Sequence, residues 1–382
     1  MKRLNVLFMT FWYPTREHPF KGAFIRNHAK AAHLYDDVVV LHCAGITTSI
    51  KKRWQMEQEA DERITEGIPT YRVRHRLLPI PTVSFVIYFW SVYRAVRRIH
   101  NQGFRFDLIH SNHYETSVLA VLIGKIYRIP VIITEHYSGF PRNLLSRREL
   151  FKARFAFHRA ARILPVSHAL RESIVRHGVR ARFQIVPNVV DTTHFFQRSQ
   201  QDEKKNVKHL LFVAFFDPIK GLPYLLQALA RMRRERDDWH LDIVGDGPPR
   251  SEYEGLTADL GLADKVTFHG SKPKLDVAEH MRSADIFILP SLWENMPCVL
   301  IEAMACGLPV VSTLTGGIPE IIDTEAGMLV RPGEAAELSN AIMDMMEALN
   351  TFDRKVIAEK ALRYSPQSIG ELLHAIYLDA AK

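Results

Sequence analysis

An α/β fold of two Rossmann-like, doubly wound domains is predicted by three observations on this sequence. Strand and helix signals alternate from end to end, the strands read as short apolar runs, and 382 residues exceed one ordinary core. The apolar content of 47% is enough to bury two. In the first series, strands are predicted near Asn5 to Met9, Val38 to His42, Leu108 to His110, Val131 to Thr134 and Ile163 to Val166. A second series runs through Leu210 to Ala214, Leu241 to Val244, Val266 to His269, Ile286 to Leu289 and Val310 to Thr313. Between them Gln197 to Asn206 is polar and aperiodic, a linker signal. The expected division is a domain over 1–195, a domain over 196–365 and a terminal helix in 366–382, beginning at Gln367 after the Ser365-Pro366 break.

Composition narrows the function classes. Three cysteines, Cys43, Cys298 and Cys306, are too few for a disulfide framework and lack metal-ligand spacing, which suggests a reducing cytoplasm. The N-terminus reads straight into a strand, without the apolar region and cleavage site of a signal peptide. The formal charge of +8 is uneven, because Arg142 to Arg182 holds eleven basic residues against Glu149 and Glu172. Such a face suits anionic lipid or a phosphorylated substrate, or is simply solvated. Nucleic acid is not expected, since no helix-turn-helix, zinc or aromatic RNA-binding signature accompanies the arginines. The apolar run Val83 to Tyr93 is too short to span a bilayer. Followed by Arg94, Arg97 and Arg98, it reads as a buried helix with cations at its C-terminal end, the alternative being a helix lying on a membrane.

Candidate chemistry collects after the predicted strands. Glu294 and Glu302 flank a strand-to-helix turn in Pro290-Ser-Leu-Trp-Glu294-Asn-Met-Pro-Cys-Val-Leu-Ile-Glu302-Ala-Met-Ala-Cys-Gly307. Pro297 suits the start of that helix and Gly307 its end. Val299, Ala303 and Cys306 recur at the spacing of a packed face, which leaves Glu302 in apolar company and in need of a partner. That partner is a neighbouring base or a ligand's hydroxyl pair. Lys220-Gly221 lies at the mouth of a helix after Leu210 to Ala214, where amide N–H groups favour an anion such as a diphosphate, though Lys-Gly turns also occur without a ligand. Gly22 precedes a helix in Pro14-Thr-Arg-Glu-His-Pro-Phe-Lys21-Gly22-Ala, as a turn residue or as a point of close approach to phosphate. His136 lies just past Val131 to Thr134, at the strand edge where ligand groups gather, with a structural role open for it as well, and Glu135 beside it is an alternative polar contact. Gly245-Asp-Gly247-Pro-Pro lacks the helix and third glycine of a dinucleotide site, and no Asp-x-Asp occurs, so no required metal is expected.

The run from Pro290 to Val311, with Gly316-Gly317-Ile-Pro-Glu320 after it, resembles the C-terminal signature of the retaining glycosyltransferases of family 4. This resemblance covers nearly the whole chain and is strongest from Lys220 to Glu320. It implies a GT-B fold, in which two domains face a central cleft and the final helix crosses back to the N-terminal domain. It further implies that Glu302 binds the ribose hydroxyls of a UDP- or GDP-sugar and that Glu294 and His136 contact the sugar. Lys220 would steady the leaving diphosphate, aided by Gly22, by amides near Cys298 and Val299 and by the Gly316-Gly317 turn. The family's arginine partner of that lysine is replaced here by Phe215. Retention is usually explained in this fold by front-face attack, with the diphosphate taking the acceptor proton, so Glu294 is not assigned as a covalent nucleophile. The expected enzyme moves a hexose-type sugar to a saccharide or lipid-linked acceptor in cell-envelope synthesis, in the cytoplasm or at the inner face of its membrane. The alternatives are a nucleotide-sugar epimerase or hydrolase of the same fold, and an inactive sugar-nucleotide binder.

Overall fold

The computed structural model describes residues 2–46, 54–75, 81–197 and 207–382. It forms two compact units, Met1–Val189 with Pro366–Lys382 and Val190–Ser365. Residues 198–206 of the predicted linker lie outside the described residues.

The first unit runs β1 (Asn5–Thr10), α1 (Ala23–Tyr35), β2 (Asp37–Ile46), β3 (Trp54–Gln58), α2 (Glu62–Thr65), β4 (Thr70–His75) and α3 (Pro81–Asn101). It continues with β5 (Leu108–Asn112), α4 (Tyr114–Tyr127), β6 (Val131–Glu135), α5 (Arg147–Phe157), β7 (Arg162–Pro165) and α6 (His168–Arg176). Its seven-stranded sheet has the order β3-β4-β2-β1-β5-β6-β7. Val6, Leu7, Phe8 and Met9 are all fully buried, as a central strand covered on both faces requires. Two strands escaped the sequence reading. β4, Thr-Tyr-Arg-Val-Arg-His, carries basic residues and no continuous apolar run, and β3 is a polar edge strand, antiparallel to β4 in an otherwise parallel sheet.

The second unit runs β8 (Lys208–Val213), α7 (Leu222–Met232), β9 (Trp239–Val244), α8 (Arg250–Asp259), β10 (Val266–Gly270), α9 (Lys274–Ser283) and β11 (Ile286–Leu289). Then come α10 (Cys298–Ala305), β12 (Val310–Thr313), β13 (Gly327–Val330), α11 (Ala335–Ala348) and α12 (Arg354–Ala361). Its six strands are parallel and ordered β10-β9-β8-β11-β12-β13. β13 was also missed, being a four-residue edge strand that opens on glycine.

The last helix, α13 (Pro366–Ala380), belongs to the first unit and packs on α1. His374 Nδ1 lies 2.9 Å from the buried Asp36 carboxylate, which also accepts the Leu4 N–H at 3.0 Å. Tyr377 Oη sits 2.6 Å from His110 Nδ1 inside the core. A helix remote in sequence thus supplies polar groups that satisfy buried partners near β1 and β5.

α3 departs from the buried helix expected of it. Val92, Ala95, Val96 and Ile99 face the core, but Val83, Val86 and Trp90 are exposed. No helix among the described residues is long and apolar enough to cross a membrane.

Candidate active site

In the second unit the winding reverses between neighbours β8 and β11, since the chain leads from β8 through β9 to one edge and from β11 through β12 to the other. Loops leaving the carboxyl ends of two such strands diverge and open a crevice. Lys220 stands on the loop after β8 and Glu294 on the loop after β11. Their side chains meet there, Nζ donating to Oε1 over 2.6 Å across a sequence separation of 74. Ser291 Oγ donates to the same carboxylate oxygen at 2.9 Å. With the glutamate side chain 11% exposed and the lysine 26%, the pair is open to solvent mainly on the lysine side. The Gly316-Gly317 turn braces this loop from behind. Gly317 N–H donates to the Glu294 carbonyl at 3.2 Å, and Gly316 holds φ 51 where a Cβ would overlap that carbonyl and the Trp293 ring.

α10 starts one residue later than the sequence suggests, with Pro297 as its cap. Its packed face is Leu300, Ile301, Ala303 and Met304, while Cys298, Val299 and Glu302 are only half-buried. Val299, expected in the core with Ala303 and Cys306, instead shares the partly open face with Glu302, because i and i+3 lie on one side of a helix. The first N–H groups of α10 have no partner within the helix and carry the positive end of its dipole. Burial pushes the Glu302 carboxyl up to about 7, the Lys274 ammonium opposing and the Asp191 carboxylate adding to the rise. Burial likewise pushes the Cys298 thiol up to about 12, with Glu302 and Glu294 raising it and Lys274 and Lys220 lowering it. Two carboxylates and two lysines therefore act on the first residue of α10. Lys274 was not foreseen, and its signal was a Lys-Pro-Lys opening a helix after a strand. Phe215, in the place of the resemblance's arginine, is 67% exposed.

The first unit has its own reversal, between β1 and β5. Gly22 caps α1 with φ 75, and a Cβ there would come within 2.6 Å of the Trp12 carbonyl carbon, so the glycine lets this loop fold back on itself. Phe24, two residues on, brings the loop to His136, ring centroids 4.7 Å apart. His136 Nε2 lies 3.4 Å from Asn112 Oδ1. Burial holds the His136 imidazole well below its ordinary value, with His28, His110 and His113 adding to the effect, so it is neutral at physiological pH. Glu135 is not the alternative ligand contact that its position suggests. It is fully buried and accepts the N–H groups of Tyr114, His136 and Tyr137 at 2.9 to 3.0 Å, so it clamps the His136 loop to the start of α4. Trp12, His113 and Tyr137, unremarked in the sequence, form an aromatic wall here, with Trp12 4.6 Å and Tyr137 5.2 Å from the His113 ring. Asn112 Nδ2 and His113 Nε2 are buried with no hydrogen-bond partner among the described residues. Unmet buried polar groups of this kind are costly unless a ligand or water completes them.

Two family models cover most of the chain, "Glycosyltransferase Family 4" over residues 36–194 and "Glycosyl transferases group 1" over residues 193–361. The chain belongs to the family 4 glycosyltransferases. Among its curated relatives is the D-inositol 3-phosphate glycosyltransferase of Arthrobacter sp. (strain FB24), 31% identical over 268 residues, which are 64% of this chain and 62% of that relative. The alpha-monoglucosyldiacylglycerol synthase of Streptococcus pneumoniae is 23% identical over 91% of this chain and 85% of its own length. The match spans only 62% to 66% of the first three curated relatives. Of solved structures, Anabaena Alr3699/HepE in complex with UDP superposes with a TM-score of 0.77 at 21% identity, over 98% of this chain and 100% of that one. The likeness at that identity establishes the GT-B fold, two Rossmann-like sheets wound as described above.

Proposed function

We propose that this chain is a retaining, metal-independent glycosyltransferase that moves a hexose-type sugar from a UDP- or GDP-sugar to a saccharide or lipid-linked acceptor. The Lys220–Glu294 pair carries the proposal, because it sits at the winding reversal of the second unit beside the α10 N-terminus and Glu302. A diphosphate seated on those amides gains the Lys220 ammonium as counter-charge, and Glu302 accepts from ribose hydroxyls. Glu294 orients the lysine and, through its second oxygen, the sugar. In the transfer step the anomeric C–O bond to the diphosphate breaks as the acceptor oxygen bonds the same face of that carbon. The acceptor's proton passes to a diphosphate oxygen, so the protein supplies charge stabilisation and no nucleophile.

The His136 end of the first unit, with its aromatic wall and the unpaired Asn112 Nδ2 and His113 Nε2, is assigned to the sugar and acceptor side, and Gly22 to the phosphate side of that loop. A neutral His136 fits hydrogen bonding to hydroxyls rather than charge pairing. Relatives named for D-inositol 3-phosphate and for monoglucosyldiacylglycerol support a saccharide or lipid-linked acceptor, and the basic surplus of the first unit suits a cytoplasmic enzyme that meets such an acceptor at an anionic membrane surface. Calorimetry with UDP, GDP and their sugars tests the assignment. Glu302→Ala should weaken nucleotide binding, whereas Glu294→Ala and His136→Ala should mainly reduce turnover. Normal transfer by all three variants would overturn the site. Release of free sugar or an isomerised donor without acceptor product would favour a hydrolase or epimerase instead.

A further inference from the structure

The helix α3 carries no aspartate or glutamate along its 21 residues. Its exposed stripe reads Val83, Val86, Trp90, Arg94 and Arg97, positions 3, 4, 4 and 3 apart that fall on one helical face. The stripe is apolar in its first turns and cationic in its last. Trp90 is 53% exposed, and Phe89 and Tyr93 pack beside it at 6.1 and 5.6 Å. Apart from the Trp54 ring of β3, which lies 6.0 Å from the Arg94 guanidinium, the described residues leave this face open, though it holds bulky side chains that a purely solvated helix would not carry.

An independent element repeats the pattern. On α5, Phe151 is 71% exposed in the middle of a face bearing Arg147, Arg148 and Lys152, and Leu144, in the turn leading to the helix, is 55% exposed. The helix has one acid, Glu149, and its carboxylate is spent on the Ser146 cap and the Tyr114 hydroxyl. Ala153, Ala156 and Phe157 bury the opposite face. α4 packs against both α3 and α5, and the right-handed crossovers from β4 to β5, β6 and β7 place all three helices on one side of the sheet. Two stripes of the same chemistry, large apolar tips ringed by guanidinium and ammonium groups, thus belong to one side of the first unit.

We propose that this side of the first unit docks on an anionic lipid bilayer, with Trp90, Val86 and Phe151 entering the headgroup boundary and the flanking arginines and lysine meeting lipid phosphates. The proposal rests on the membrane-surface reading of the acceptor and names the surface that reading needs. An extended anionic plane with an apolar layer beneath it complements both stripes at once. A protein partner would need its own acids facing each cluster and its own apolar holes between them. Binding by this mode scales with inserted apolar area and with attraction to anionic headgroups, and it weakens with salt as surface charges are screened.

The test is flotation of the full chain with phosphatidylglycerol–phosphatidylcholine vesicles and with phosphatidylcholine vesicles, at low and high salt. The wild type should float with the anionic vesicles at low salt and much less in the other conditions. Trp90→Ser with Phe151→Ser should lower partitioning about tenfold or more, and Arg94→Gln with Arg97→Gln should flatten the salt dependence. Unchanged thermal stabilisation by UDP, read in the same samples, establishes that the variants are folded. If the wild type floats and both double variants float equally well, the surface is wrongly assigned while the membrane reading stands. If the wild type floats with neither vesicle, membrane docking itself is overturned, whatever protein the surface binds.

Discussion

Replacing Lys220 by methionine keeps most of the side chain's volume and deletes the charge that meets Glu294 at 2.6 Å. Two losses follow, and they are separable. In the free protein the Glu294 carboxylate, 11% exposed, then keeps only Ser291 as side-chain donor among the described residues, and stranding a charge that was paired costs about 1–3 kcal/mol. In the complex the diphosphate loses a charge-assisted hydrogen bond of about 1.5–3 kcal/mol, which is about a 10- to 150-fold rise in the dissociation constant for UDP. Titration calorimetry reads the second loss and urea denaturation the first. The double variant Lys220→Met, Glu294→Gln removes the stranded charge, so it should recover most of the stability but none of the nucleotide affinity. If Lys220→Met binds UDP as tightly as the wild type, the lysine is a structural partner of Glu294 and the phosphate seat lies elsewhere.

Further outcomes follow from the same site. Glu302 has a folded-state value raised to about 7 from 4.5, so the folded protein holds its proton longer than the unfolded chain does. Stability contributed at this position is therefore present below about pH 4.5 and lost as pH rises towards 7. Glu302→Gln should unfold about 1 kcal/mol less readily than the wild type at pH 8, yet lose affinity for UDP. UDP affinity of the wild type should climb between pH 6 and 8 as the Glu302 carboxylate forms, and calorimetry should find the slope reduced in the glutamine variant to the part that ionisation of the UDP terminal phosphate supplies. Phe215→Arg places a guanidinium at an exposed position on the Lys220 loop and should tighten UDP binding about 3- to 10-fold, a gain that weakens with salt. Gly316→Ala sets a Cβ against the Glu294 carbonyl at a positive φ, and should cost about 2–4 kcal/mol in urea denaturation.

Much of the fold was legible because apolar strands in a parallel sheet are short, continuous runs, as in Val-Leu-Phe-Met at β1 and Ile-Phe-Ile-Leu at β11. The strands that escaped lie at or next to sheet edges, where one side needs no cover and residues such as Arg72 and Arg74 are tolerated. Arg72 is in fact buried, its charge met by Glu59 at 2.7 Å, an arrangement that composition cannot disclose. The candidate site was legible where residue type and loop position coincide. Lys220, Glu294, Glu302 and the Gly316-Gly317 turn all lie at carboxyl ends of strands or on the helix that follows. Val299, Glu135 and Lys274 were misread or missed because their directions depend on packing. A helical period of three or four leaves several faces open to be the core, and only neighbouring elements select one.

What the sequence by itself determined is the series of strands and helices and the loops that carry the polar groups, since these follow from local periodicity, proline and glycine constraints and side-chain type. The tertiary structure decided which of those groups meet. Lys220 finds Glu294 across 74 residues and His374 finds Asp36 across 338. It also turned Glu135 inward as a clamp and left Trp90 and Phe151 in the open. Such outcomes depend on strand order, crossover hand and burial, which are properties of the assembled sheet and of no short segment.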